Sequence, residues 1–114
     1  MSAPPAIDRL PLGLAVRGEL DAATAPQLEA AVREALPATE GAFLIDLSEL
    51  EFMDSGGVNA LLRARSLLGR EERALAVVCP PGPPRRVLDT IGIADLFALF
   101  DSRQAAEEAL VPPR

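Results

Sequence analysis

The apolar residues of this chain change their spacing several times, and this alternation restricts the possible folds more than any other feature. Between residues 10 and 20, every second position is Leu or Val except Gly18, as in a strand with one buried face. Residues 25–36 instead carry apolar side chains at helical spacing, and Pro37 ends that pattern. Two later apolar runs, residues 42–47 and 74–79, show no alternation and predict strands that are buried on both faces.

Helical patterns separate these strands. Thr24 and Gln27 have the spacing of a capping box at the start of the first helix. The later predicted helices cover about residues 58–69, 85–92 and 103–110. Residues 96–100 predict a short edge strand, and residues 48–54 are interpreted as a connection. Because strands and helices alternate, the sequence predicts an α/β domain whose parallel strands are joined by crossover helices.

The length of 114 residues fits one domain. We expect a flexible lead-in at residues 1–6, a domain over residues 7–110 and a short tail at residues 111–114. No apolar run approaches the ~18 residues that a membrane-spanning helix requires. The first residues also lack the basic and then apolar pattern of a signal peptide. The expected location is therefore the cytoplasm, without a membrane partner.

The charge and the missing residue types exclude several classes of function. Seventeen acidic residues against eleven Arg give a net charge of −6, which disfavours nucleic acid and anionic lipid as partners. One Cys and no His exclude an internal disulfide and the usual zinc sites. Without Lys there is no Walker A loop, and without His or Lys a nucleophilic Ser has no base. We therefore expect neither an enzyme nor a cofactor.

The sequence Asp-Ser-Gly-Gly at residues 54–57 stands between a predicted connection and a predicted helix. Helix N-termini offer unpaired N–H groups that stabilise anions, and ligands collect beyond the strand ends of α/β sheets. One interpretation is that Asp54 or Ser55 only caps the helix, which contributes ~1 kcal/mol. The other is a functional corner, because two glycines in a helical turn cost roughly 1 kcal/mol each and a cap does not require them.

Three aspartates allow a further hypothesis. Asp21, Asp46 and Asp54 could converge at one edge of the sheet and hold Mg²⁺, as in the receiver domains of response regulators. Receivers also need a late lysine, which this chain lacks. We therefore expect no metal site, and we expect Asp46 to end its strand and to accept hydrogen bonds from loop N–H groups.

Four segments, taken together, resemble the STAS domain, and more narrowly the free-standing bacterial anti-sigma factor antagonists. They are GELD at 18–21, AP at 25–26, LIDLSELEFMDSGGV at 44–58 and VLDTIGIADLF at 87–97. The resemblance covers about residues 8–110. It implies a single domain with a mixed, mostly parallel sheet of four or five strands and about four helices packed against it.

The resemblance also implies a switch. In that family the serine after the aspartate is phosphorylated by a partner kinase that is also the anti-sigma factor, and this position matches Ser55. The unmodified chain would bind the anti-sigma factor and release a sigma factor, phosphorylation would end binding, and a serine phosphatase would reset it. Gly56 stands where the family commonly has a second serine. The expected partner-binding residues are Asp21, Asp54, Ser55, Gly56, Gly57, Val58 and Asn59.

Two points stay open at this stage. STAS domains also regulate other assemblies, including stress-sensing complexes and lipid-transport machinery, through the same surface and without a sigma factor. The oligomeric state is not encoded in any pattern, and a monomer is the expectation for the free chain.

Overall fold

A computed structural model describes residues 6–110, which form one mixed sheet with helices on both faces. Its strands are β1 (Ala6–Leu10), β2 (Gly13–Leu20), β3 (Phe43–Asp46), β4 (Leu50–Met53), β5 (Leu75–Val78) and β6 (Ala98–Phe100). The α-helices are α1 (Ala25–Ala35), α2 (Ser55–Gly69), α3 (Pro83–Ile91) and α4 (Arg103–Leu110). Short 3₁₀ helices occupy Leu36–Ala38 and Ala94–Leu96.

The strand order is β1-β2-β3-β5-β6, and β4 pairs with β2. Among residues 6–110, the β1–β2 pairing is antiparallel and the other strand pairings are parallel. The predicted α/β class with a mostly parallel sheet is therefore confirmed. The sheet has six strands rather than four or five, because two strands lie where the sequence did not predict them.

The two additional strands have physical explanations. β1 pairs with β2 in a hairpin whose turn contains Pro11. The predicted strand over residues 10–20 therefore begins later, at Gly13, and Leu10 belongs to β1. Most of β1 is exposed, and its polar residues hide the strand pattern. β4 lies within residues 48–54, so the interpretation of this segment as a connection was wrong. The strand was missed because its two middle residues are both exposed, which gives no alternation.

β2 provides the surface on which the functional corner is built. Its residues Gly13 to Ala15 pair with β3, and its residues Gly18 to Leu20 pair with β4. The register shifts between Gly18 and Glu19, and Gly18 has a φ of 92°, a backbone conformation that glycine adopts without strain. The end of β4 and the start of α2 consequently lie beyond the end of β3.

Two apolar layers cover the faces of the sheet. The central strands alternate between them: Phe43 and Ile45 face the larger core with α1, α2 and α3, whereas Leu44 belongs to a smaller cluster with Ala106 of α4. The sequence prediction that β3 and β5 are buried on both faces is confirmed, since every residue of both strands is buried.

Parts of the predicted domain organisation fall on the chain ends. Residues 1–5 of the predicted lead-in and the predicted tail at 111–114 lie outside the described residues. Ala6, the last residue assigned to the lead-in, opens β1. None of the helices in residues 6–110 has the combined length and hydropathy that a bilayer crossing requires.

Two phenylalanines provide a matched test of this core. Phe43 is fully buried, whereas the Phe52 side chain is 46% exposed. We expect Phe43→Ala to lower the free energy of unfolding by about 3–5 kcal/mol, because it removes buried contacts and leaves a cavity. Phe52→Ala, the same truncation at an exposed site, should change it by no more than about 0.5 kcal/mol. Urea unfolding of both variants measures the difference, and equal losses would contradict this core.

Candidate functional site

Asp54 is the N-cap of α2. Its backbone is extended (φ −121°), and its Oδ1 accepts hydrogen bonds from the N–H groups of Gly56 at 2.9 Å and Gly57 at 3.2 Å. The Asp54 carbonyl accepts the N–H of Val58 at 3.0 Å. One of the two sequence interpretations is therefore correct for Asp54: this side chain caps the helix.

Ser55 does not share that task. It is the first residue of α2, it is exposed, and its hydroxyl has no hydrogen-bond partner among residues 6–110. A hydroxyl that is neither buried nor used in a cap is accessible to a modifying enzyme. The two adjacent polar residues therefore have different roles: Asp54 caps the helix, and the Ser55 hydroxyl stays available for modification.

The unpaired donors at the start of α2 are mostly occupied. The Asp54 carboxylate takes the N–H groups of Gly56 and Gly57, so within the described chain Ser55 contributes the remaining N–H of the first turn. A phosphate on Ser55 would compete with a carboxylate that is already in place. The helix N-terminus therefore offers such an anion few unoccupied N–H groups, and the added charge would lie at the surface.

The two glycines are required by contacts inside the protein. A Cβ on Gly56 would lie 2.3 Å from the backbone nitrogen of Ala22, and a Cβ on Gly57 would lie 2.3 Å from the carbonyl oxygen of Leu20. Atoms at such distances overlap, so a side chain at either position would force the helix away from the β2–α1 turn. The glycines let α2 pack directly on this backbone, a role that the sequence did not reveal.

Asp21 organises the turn against which Gly56 packs. The Asp21 N–H donates to Thr24 Oγ1 at 2.9 Å, and the Thr24 N–H donates to Asp21 Oδ1 at 3.0 Å. This is the reciprocal pattern of a capping box, formed by Asp21 and Thr24. The predicted box of Thr24 with Gln27 is wrong, because Thr24 makes no side-chain cap of α1. Asp21 is 9% exposed, so its contribution to any docking surface is small.

The remaining predicted partner-binding residues separate by exposure. Gly57 and Val58 are buried, and the Val58 side chain belongs to the larger core. Asn59 is exposed, and it lies one helical turn after Ser55 on the same side of α2. Ser55 and Asn59 are thus exposed, and Asp54 and Gly56 are partly exposed. We call these four residues the α2 N-terminal surface.

The three aspartates of the magnesium hypothesis have separate protein partners. Asp46, which is 3% exposed, accepts the N–H of Ser48 at 2.8 Å and pairs with Arg103 Nε at 2.7 Å. The expectation that Asp46 bonds a loop N–H is confirmed. Asp21 and Asp54 bind the backbone as described above, and residues 6–110 hold no group of three side chains able to share a metal ion.

The Asp46–Arg103 pair borders a cleft of about 310 Å³. The hydrogen bond to Asp46 raises the pKa of the Arg103 guanidinium, which therefore stays charged. This pair fastens α4 to the end of β3, a contact 57 residues apart that the sequence did not indicate.

Cys79 is not a reactive nucleophile. Burial raises the pKa of its thiol from 9.0 to about 11, although the positive charge of Arg85 partly opposes this effect. The thiol consequently remains protonated at neutral pH, and the thiolate is the reactive form.

The geometry places a capped helix start and a free serine hydroxyl beyond the end of a mostly parallel sheet. A family profile described as the STAS domain matches residues 5–106. The chain belongs to the STAS domain family.

Relatives of this STAS domain are named as anti-sigma factor antagonists. The anti-sigma-F factor antagonist RsfB of Mycobacterium tuberculosis is 33% identical over 89 residues, which are 78% of this chain and 72% of that protein. An anti-sigma F factor antagonist of Paenibacillus polymyxa is 30% identical over 87 residues, covering 75% of this chain and 74% of its own.

Solved structures agree with the fold. A crystal structure of an anti-sigma factor antagonist from Mycobacterium paratuberculosis has a TM-score of 0.79 and 30% identity, covering 96% of this chain and 98% of its own. The unphosphorylated form of SpoIIAA, at 21% identity, has a TM-score of 0.64 and covers 92% of this chain and 94% of its own. At that identity the second likeness supports the fold alone.

The role of the glycines can be tested with two Gly→Ala substitutions in the same helix. We expect Gly57→Ala to lower the free energy of unfolding by about 1–3 kcal/mol, because its Cβ would overlap the Leu20 carbonyl. Gly69→Ala, at the other end of α2, meets no atom within 4 Å and should be neutral or stabilising by up to about 1 kcal/mol. Thermal and urea unfolding provide the comparison; a neutral Gly57→Ala would disprove the close contact.

Proposed function

We propose that this STAS domain is an anti-sigma factor antagonist that is switched by phosphorylation of Ser55. The proposal rests on the arrangement at the start of α2. Asp54 caps the helix, whereas the Ser55 hydroxyl is exposed and has no hydrogen-bond partner among residues 6–110. The names of the relatives at 30–33% identity support the antagonist role. The protein acts by binding and is itself not an enzyme.

The proposed partner is an anti-sigma factor with serine-kinase activity. In its unmodified form the domain binds this partner through the α2 N-terminal surface, and the sigma factor is released. The kinase then transfers a phosphoryl group: Ser55 Oγ bonds to the γ-phosphorus of ATP as the bond to the bridging oxygen breaks. ADP leaves, and the hydroxyl proton passes to a base of the kinase. A serine phosphatase restores the hydroxyl.

The added charge accounts for release. Phosphorylation adds about −1.5 to −2 charges at pH 7. Asp54 stands directly before the new anion and already occupies two N–H donors of the helix, so the protein neutralises little of the phosphate. Directly after transfer the phosphoserine also faces the phosphates of ADP. Such like-charge contacts cost several kcal/mol, and every ~1.4 kcal/mol weakens binding tenfold.

The modification site is tested by incubation with ATP and each purified anti-sigma factor kinase from the genome of origin. Mass spectrometry should place one phosphate on Ser55, since this hydroxyl is exposed at the helix start. Ser55→Ala should remain unmodified and should bind the kinase at least as tightly as the wild type. Ser55→Asp should bind at least about tenfold more weakly, because it adds a charge beside Asp54.

Circular dichroism and thermal unfolding serve as controls that both variants fold. Equal affinity of Ser55→Ala and Ser55→Asp for the kinase would exclude the switch, and phosphate found on another residue would exclude the site.

A further inference from the structure

Phe52 is a large apolar side chain exposed beside the proposed switch. It is 46% exposed on β4, three residues before Ser55. Its register partner on the neighbouring strand is Glu19. A single exposed apolar residue is ordinary in a soluble protein, so exposure alone has no functional meaning. The distribution of charge around Phe52 makes its position informative.

Acidic residues outnumber Arg around this corner. Residues 18–32 and 47–62 contain six acidic residues and no Arg, although Arg17, Arg33 and Arg63 flank these segments. Of the six, Glu29 pairs with Arg33, and the Asp21 and Asp54 carboxylates accept backbone N–H groups. Within these segments, Glu19, Glu51 and Asp54 are the neighbours of Phe52 along the chain or across the β2–β4 pairing.

We propose that Phe52 is the apolar anchor of the antagonist's docking surface, with Glu19 and Glu51 as its acidic rim. The partner surface that fits it is an apolar pocket on the anti-sigma factor, bordered by Arg or Lys side chains. Aromatic residues at the centre of a contact carry much of its free energy, and charges at the rim accelerate association. This inference rests on the proposed function, because it names the chemistry of the same partner.

A second copy of this chain does not fit the surface. A symmetric dimer centred on Phe52 would bring Phe52 against Phe52, and it would place the acidic residues of both copies in one interface. Like charges in such positions cost several kcal/mol. The same acidity disfavours nucleic acid and anionic membranes. A cationic protein surface is the occupant that satisfies both the apolar centre and the charged rim.

The anchor and the phosphate act at neighbouring but separate places. The cationic border of the partner lies around Phe52, Glu19 and Glu51, whereas Ser55 must approach the γ-phosphate of the nucleotide to react. Phosphorylation therefore places the new anion against other phosphates and not against the cationic border. The apolar anchor sets the affinity of the unmodified form, and the charge on Ser55 ends the contact.

The test compares two truncations of similar exposure. Phe52→Ala should weaken binding to the purified anti-sigma factor kinase at least about tenfold by calorimetry or surface plasmon resonance. Leu96→Ala is the matched control: Leu96 is 43% exposed and lies beside the C-terminal part of α2, with its carbonyl bonded to Arg65. Binding by this variant should stay within about twofold of the wild type. Phe52→Leu, which keeps an apolar side chain, should retain most of the affinity.

The acidic rim is tested by the pair Glu19→Gln and Glu51→Gln. Combined, they should lower the association rate and flatten its dependence on salt concentration, while Phe52→Ala should leave that dependence unchanged. Affinity of Phe52→Ala within twofold of the wild type would overturn the anchor. If Phe52→Ala bound normally but Ser55→Asp still lost binding, the proposed function would stand without the Phe52 anchor.

Light scattering examines the alternative occupant. A dimer of the free chain that Phe52→Ala dissociates would assign the surface to self-association and overturn the inference. Absence of binding between the wild type and every anti-sigma factor kinase of the genome of origin would remove both the inference and the proposed function.

Discussion

The packing of the start of α2 on the turn between β2 and α1 is the contact on which the rest of the site depends. Helix and turn meet through backbone atoms, because Gly56 and Gly57 place no side chain between them. The turn is rigid in its own right through the paired hydrogen bonds of Asp21 and Thr24. The position of Ser55 is therefore set by main-chain contacts with little conformational freedom.

From this contact the arrangement of the surface follows. Asp54 closes the helix with its carboxylate, so the next residue is free to present its hydroxyl to solvent. β4 pairs with the part of β2 that extends past β3, which brings Phe52 into the same region. Fold and function are thus connected at one edge, while the Asp46–Arg103 pair holds α4 at the end of β3.

The sequence predicted the fold class and the location of the corner, because both depend on local patterns. Helical spacing in α1 and α2 and the continuous apolar runs of β3 and β5 are visible without tertiary information. β1 and β4 were missed because exposed or irregular edges carry no apolar alternation. The burial of Val58 and the pairing of Asp46 with Arg103 depend on contacts between distant segments, which no local pattern encodes. The Asp21–Thr24 pair is local, but Thr24 was predicted to pair with Gln27, which lies at the same three-residue spacing.

The lack of space at Gly56 limits how much information this surface can carry. The Cβ of a serine at that position would collide with the main chain of Ala22, so Ser55 carries the one hydroxyl of the first turn of α2. If Ser55 is phosphorylated as proposed, this turn would have two chemical forms and no doubly phosphorylated one. The fraction of molecules in each form would then report the ratio of kinase to phosphatase activity.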